Sequence, residues 1–282
     1  MKRLRAAVLI GILFTAQSAA ADDAIELDGN LMQGGLVVGH APPGSTVTLD
    51  GTAVRVGSDG VFILGFGREA AATAELLVVR ADGAQDHRTL AIEQREYEIQ
   101  RIDGLPEQMV TPEDPALLQR IADERALIQA AWAHDTPAID FLGGFIWPVE
   151  APISGVYGSQ RILNGEPRQP HYGVDMAAPV GTPVMAPAGG IVRLAEPDLY
   201  FTGGTVIVDH GHGLSSTLMH MASVTVIVGQ RVKQGDIVGT VGATGRATGP
   251  HLDWRMNWHD ARIDPQLLVP PMPSDLNFDL AN

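Results

Sequence analysis

Residues 171–192, HYGVDMAAPVGTPVMAPAGGIV, decide how this 282-residue chain is read. They open on an His-x₃-Asp pair, His171 and Asp175. Gly173 and the surrounding prolines argue against a helix, so a bent strand or loop must bring the pair together. Two blocks follow in order. Residues 203–221, GGTVIVDHGHGLSSTLMHM, end an apolar strand with His220. Residues 229–253, GQRVKQGDIVGTVGATGRATGPHLD, chain tight turns with valines between them and close on His251 and Asp253. The last two, spaced two apart on a strand, point to one face. Taken singly, each element has an ordinary alternative: Asp175 as an ion-pair partner or turn cap, His251 and Asp253 as a polar pair on a half-exposed strand.

Taken together, the blocks resemble the lysostaphin/LytM-type metallopeptidases, which cut peptidoglycan peptides. The likeness covers about residues 152–269 and rests on His-x₃-Asp, on Gly-Pro-His-Leu and on the valine-glycine stretch between them. It implies a curved, mostly antiparallel β groove of duplicated hybrid motif type with zinc at its floor. His171 and Asp175 match two zinc ligands, and His220 and His251 match catalytic histidines. Asp253 stands where the family has its third ligand, a histidine. Asp is a competent zinc ligand. Two histidines and one Asp leave Zn²⁺ with a net +1, whereas one His and two Asp leave it neutral. A neutral centre acidifies its water less, and the additional oxygen ligand relaxes the preference for zinc toward harder metals such as Mn²⁺. No His-Glu-x-x-His element supplies a Glu base, so that work falls to the histidines.

Other residues are read more plainly. His210 and His212 have metal-like spacing but are expected in supporting or turn roles. Tyr157, Arg161 and Tyr172 are candidates for the groove rim. His40 and His87 stand alone as surface histidines, and His259 and Asp260 receive no role.

The rest of the chain is mainly β as well. Residues 22–98 alternate in strand fashion between Pro-Pro-Gly and Asp-Gly turns, which predicts a small immunoglobulin-like β-sandwich. Residues 99–140 form a linker whose segment PALLQRIADERALIQAAWA predicts an amphipathic helix, capped by Thr111 or Asp114 with Pro115 in its first turn. Residues 141–270 hold the metallopeptidase-like domain, and 271–282 read as a flexible tail. Residues 1–21 have a basic head (Lys2, Arg3, Arg5), a short apolar run and small residues at Ala19 and Ala21. This predicts a secretory signal peptide cleaved near Ala21, and a periplasmic or secreted protein with no membrane span in the mature chain. The chain has no Cys and therefore no disulfide.

The formal charge is −14, and loss of the three basic leader residues takes it to −17. Such a chain repels nucleic-acid phosphates and anionic membrane surfaces, and favours a neutral or amine-bearing substrate group. The function expected from the resemblance is a zinc endopeptidase acting on peptidoglycan stem peptides or cross-bridges. The alternative is a degenerate domain that binds peptidoglycan or activates another wall hydrolase, with an envelope protein partner docking through the N-terminal domain.

Overall fold

The computed structural model describes residues 25–273. The expected leader and residues 274–282 of the expected tail lie outside the described residues. Seven strands form the first body: β1 (Glu26–Gly29), β2 (Leu36–His40), β3 (Thr46–Leu49), β4 (Thr52–Val54), β5 (Val61–Gly65), β6 (Thr73–Val79) and β7 (Gln85–Ala91). They pair antiparallel as β1-β2-β5 and β4-β3-β6-β7. Alternation sets the inner face of β6, where Ala74, Leu76 and Val78 are buried and Thr73 and Glu75 exposed. Strand β5 breaks this pattern, being buried at all five positions. Its second face is covered by the C-terminal domain: a side chain at Gly65 would run into Trp258 and Ile263 at 2.8 and 2.9 Å.

The chain then crosses through β8 (Ile99–Ile102) and two helices, α1 (Glu107–Val110) and α2 (Pro115–Trp132). Asp114 caps α2, accepting from the Leu117 amide at 2.9 Å, and Pro115 follows at a position whose missing N–H costs nothing. The helix docks its apolar residues at its C-terminal end, while Arg120 and Glu124 hold Asp198 O and the Tyr200 amide at 2.8 Å each. Ala131, Ile128 and Trp132 pack on Leu194, Leu199 and Ile207, whereas Leu118 and Leu127 stay exposed.

The C-terminal domain adds β9 (Ile153–Gly155), β10 (Gln160–Leu163), β11 (Glu166–Pro167), β12 (Gly173–Met176), β13 (Pro183–Met185), β14 (Gly190–Leu199), β15 (Gly203–Gly211), β16 (Leu214–Val224), β17 (Arg231–Val232), β18 (Ile237–Val241), β19 (Leu252–Trp258) and β20 (Ala261–Ile263). Its ten-stranded sheet runs β17-β14-β15-β16-β19-β12-β9, with β18 joining β13 to β16 and β20 beside β19. All its pairs are antiparallel. The linker strand β8 instead pairs in parallel with β10, so the linker contributes to this domain.

One continuous core unites both bodies, centred in the C-terminal part on Trp254, which is fully buried and meets Trp147 edge-on at 6.0 Å. Polar contacts fix the two bodies together. Arg95 pairs with Asp264 at 2.8 Å, the Asp264 amide donates to Gly34 O, and Arg68 Nε donates to Gly158 O at 2.7 Å. The expected tail also begins later than 271. Trp147 Nε1 donates to Pro270 O at 2.8 Å and Met272 packs against the core.

Candidate active site

The sheet register brings the acidic candidates together. Asp175 on β12 and Asp253 on β19 are direct cross-strand partners. His171 lies in the loop entering β12 and reaches both: its Nε2 is 3.0 Å from Asp175 Oδ1 and 3.4 Å from Asp253 Oδ2. All three are buried and offer donor atoms within 4.8 Å of one another. Two glycines make the room. A Cβ at Gly155 would meet Asp175 Oδ2 at 2.2 Å, and one at Gly173 would meet Asp253 Oδ1 at 2.5 Å.

Two buried carboxylates facing each other across strands repel, so the arrangement demands cations. Some are supplied by the protein. Arg255, two residues along β19 from Asp253, holds it with Nε–Oδ1 3.1 Å and Nη2–Oδ2 2.6 Å. Arg161 on β10 donates to Asp175 Oδ2 at 3.0 Å. Burial would raise the Asp253 pKa, but Arg255 and His171 outweigh it and hold the carboxyl well below the usual range. For Asp175, burial and the facing Asp253 raise the pKa and His171 and Arg161 lower it, with a net lowering. Both remain charged at neutral pH.

The inner edge of the group is left unsatisfied. His171 points Nδ1 at Val156 O at 3.2 Å. That contact assigns the proton to Nδ1 and leaves the Nε2 lone pair facing the carboxylates. His171 Nε2 and Asp175 Oδ1 have no hydrogen-bond partner despite their proximity. Two unbonded acceptors, His171 Nε2 and Asp175 Oδ1, beside the Asp253 carboxylate suit a dication of the zinc type. A proton on His171 is the competing occupant. Burial lowers the His171 pKa, but Asp253 and Asp175 reverse this and raise it.

His220 and His251 stand beside this group, their ring centroids 4.7 Å apart. Each points Nδ1 at a main-chain carbonyl 2.8 Å away, Thr244 O for His220 and Gly249 O for His251. This assigns Nδ1–H to both and leaves each Nε2 free as an acceptor. His251 Nε2 is 3.9 Å from Asp175 Oδ1. His220 takes a left-handed backbone, φ 63°, where β16 shifts register against β15 between Val206 and Gly204. Such a bulge re-aims a side chain that regular alternation would direct elsewhere, and the strain marks a constrained position. Burial pushes the His220 pKa down to about 4, assisted by His251 and opposed by Asp253. It is therefore neutral, and able to take a proton, through physiological pH.

The group opens on a cleft of about 670 Å³. One wall carries His220, Arg246 and His251. The other is drawn from Gln100, Ile102 and Leu105, in β8 and the turn after it. Among the described residues, none of the sandwich lines the cleft. Asn164 binds the Leu105 amide and carbonyl at 3.1 and 2.8 Å, so this second wall is fixed. Sequence reading treated that segment as a linker, and its pairing with β10 has no signal in the sequence.

Among the remaining expectations, Arg161 does line the cleft. Tyr157 does not: it is 2% exposed and donates to Arg262 O at 2.7 Å, stacked edge-on with Tyr97, because the sandwich covers that side. Tyr172 is half-buried and outside the cleft lining. His212 sits in the β15–β16 turn with φ 49°. His210 is buried against Phe145 and bonded to Gly189 O and Ser216 Oγ, away from the His–Asp–Asp group. Sequence reading missed Arg255 and Arg246, since a lone Arg on a strand or in a glycine-rich turn has no distinctive spacing.

An antiparallel β groove with a His–Asp–Asp group at its floor and two Nε2-presenting histidines beside it defines the class, a metallopeptidase-type domain. The profile of peptidase family M23 matches residues 169–265. A solved structure assigned to peptidase M23 from Pseudomonas aeruginosa is 32% identical, covers 84% of this chain and 94% of that one, and superposes with a TM-score of 0.65. This chain belongs to peptidase family M23. Curated relatives include the peptidoglycan DD-endopeptidase ShyC of Vibrio cholerae, 36% identical over 38% of this chain and 24% of the relative. Another is the cell division protein DipM of Caulobacter vibrioides, 33% identical over 45% of this chain and 21% of the relative. The matches thus span less than a quarter of those relatives' lengths.

Proposed function

We propose that this protein is a zinc-dependent endopeptidase that hydrolyses stem-peptide or cross-bridge bonds of peptidoglycan in the cell envelope, outside the cytoplasm. The observation that carries the reading is the convergence of His171, Asp175 and Asp253, with His171 Nε2 and Asp175 Oδ1 left unbonded, beside two histidines whose Nδ1 atoms are held by carbonyls and whose Nε2 atoms are free. The names of curated relatives such as ShyC support peptidoglycan as the substrate. Among the described residues no helix is long and apolar enough to cross a membrane.

His171, Asp175 and Asp253 would hold the zinc, which supplies a Lewis acid for the scissile carbonyl and acidifies a water. His220 Nε2 accepts the proton of the attacking water, its ring held by Thr244 O. His251, its ring centroid 4.7 Å from that of His220, is placed to receive that proton and pass it to the leaving amine. Arg255 and Arg161 neutralise the charge of the two carboxylates. The centre is therefore more electropositive than a bare one-His, two-Asp set, which offsets the weakening expected from the Asp at the third position.

A second reading is favoured by one observation. The same two arginines already bond Asp175 Oδ2 and both oxygens of Asp253. That arrangement also stabilises a metal-free cleft that binds peptidoglycan or activates another hydrolase. Metal analysis of purified protein lacking residues 1–21, with muropeptide digestion by wild type and by His220→Ala, separates the two. The endopeptidase reading expects one zinc per chain and cleavage lost in the variant. Protein that takes up no divalent metal and cuts no muropeptide would overturn it.

A further inference from the structure

Of the arginines around the cleft, Arg161 and Arg255 are committed to Asp175 and Asp253. Arg246 is not. It belongs to the 242–250 loop that also supplies the Thr244 carbonyl holding His220, and it lines the same cleft. Its guanidinium packs 4.7 Å over the Phe201 ring, and Nη1 donates to Met109 O at 3.1 Å. Among the described residues no carboxylate pairs with it and its other side-chain N–H groups have no acceptor.

Its surroundings add to the demand for an anion. Burial lowers the Arg246 pKa first, then the like charges of Arg161, Arg255 and Arg168, together to about 10. It stays charged at neutral pH, in a field of its own sign. The one carboxylate lining the cleft, Asp175, is already bonded to Arg161. The cleft is thus locally positive on a chain whose formal charge is −14. Net charge favoured a neutral or amine-bearing substrate; at contact distance the local field decides instead, because distant surface charges are screened. A guanidinium fixed by an aromatic face and one carbonyl presents its remaining donors with little rotamer entropy left to lose, which suits a planar carboxylate.

We propose that Arg246 is the anchor for a carboxylate of the bound peptide and makes the cleft selective for anionic over neutral peptides. The proposal rests on the reading of this cleft as a peptide-binding site but not on its hydrolysing the peptide. The carboxylate has two sources in a wall peptide, the C-terminal carboxyl and an acidic side chain.

The test uses the whole mature protein and three synthetic D-alanyl-containing peptides. One has a free C-terminal carboxylate and no other acid. The second is its C-terminal amide. The third is amidated at the C-terminus and carries one acidic side chain. Binding is measured by calorimetry on metal-free and zinc-loaded protein, for wild type, Arg246→Gln and Arg246→Lys. We expect wild type to bind one of the acidic peptides about ten- to a hundredfold tighter than the neutral one, and which one identifies the source. Arg246→Gln should abolish that ratio in both metal states, and Arg246→Lys should retain only part of it, since an ammonium keeps the charge but not the planar fork. In cleavage, Arg246→Gln should raise KM and leave kcat nearly unchanged. Equal binding of acidic and neutral peptides by wild type would overturn the proposal. So would an Arg246→Gln protein that weakens all three peptides equally. The wild-type ratio alone decides even where a variant folds poorly. Cleavage without a carboxylate preference would sink the anchor and leave the endopeptidase standing. An Arg246-dependent preference in a protein that cuts nothing would do the reverse.

Discussion

Replacing Asp253 with His puts the residue that the family resemblance implies at the proposed third ligand position, and Arg255 sets the consequence. In the native site Arg255 makes a two-pronged contact with Asp253, whose side chain is 1% exposed. Asp253→His removes that carboxylate and leaves a guanidinium beside an imidazole, with Arg161 also nearby. Breaking a buried ion pair from one side costs about 3–5 kcal/mol. The Arg255 side chain keeps 27% exposure, so water recovers part of this. We expect a loss of about 2–4 kcal/mol in the metal-free protein, or roughly 5–15 °C in Tm. Zinc should also bind this variant more weakly than it binds Asp253→His/Arg255→Met, where the uncompensated cation is gone. The assay is a double-mutant cycle of metal-free thermal unfolding with calorimetric zinc titration of each member. Coupling between the two positions should be about 1–3 kcal/mol. A cycle additive to within about 0.5 kcal/mol, with equal zinc affinity in the single and double variants, would refute the assignment of Arg255 as the counter-charge of Asp253.

Three further outcomes are expected. His220→Asn, which tolerates the left-handed backbone at φ 63°, should lower cleavage about 10²–10⁴-fold with zinc stoichiometry unchanged, as read by muropeptide digestion and metal analysis; zinc lost in parallel would make His220 a ligand. Gly173→Ala should weaken metal binding, because its Cβ would meet Asp253 Oδ1 at 2.5 Å and the Trp254 carbonyl at 2.6 Å; unchanged zinc affinity by calorimetry would count against the packing argument. His220 has a folded-state pKa of about 4 and an unfolded one of about 6.5. The unfolded chain therefore takes up its proton first as pH falls, and His220 costs the metal-free fold about 3 kcal/mol between about pH 6.5 and pH 4. Denaturant unfolding of wild type and His220→Asn should show the wild type losing that much relative to the variant over this window, and a difference independent of pH would contradict the burial of a neutral imidazole.

Local signals in the sequence carried the β class and the capped helix, and singled out the five residues that the fold then places side by side. Alternating apolar residues, Gly-Pro punctuation and the Asp114-Pro115 start are local, so each is legible without knowing what packs against it. The blocks around His171, His220 and His251 also carried the family, which the match of the M23 profile to residues 169–265 bears out. What the sequence by itself could not determine was every feature made by strand register or by contact between distant segments. That Asp175 faces Asp253 is a property of how β12 pairs with β19. That Arg255 covers Asp253 follows from their sharing a face of β19 two residues apart, and its significance appears only once both are buried. The β16 bulge turns His220 into the cleft, the parallel pairing of β8 with β10 makes a linker into a wall, and the sandwich buries Tyr157. Each of these is decided by long-range pairing, where a one-residue slip would send the same side chains to the opposite face. The charge a substrate meets belongs to this second group. Composition fixes the sum at −14, but only folding puts Arg161, Arg246 and Arg255 around one cleft.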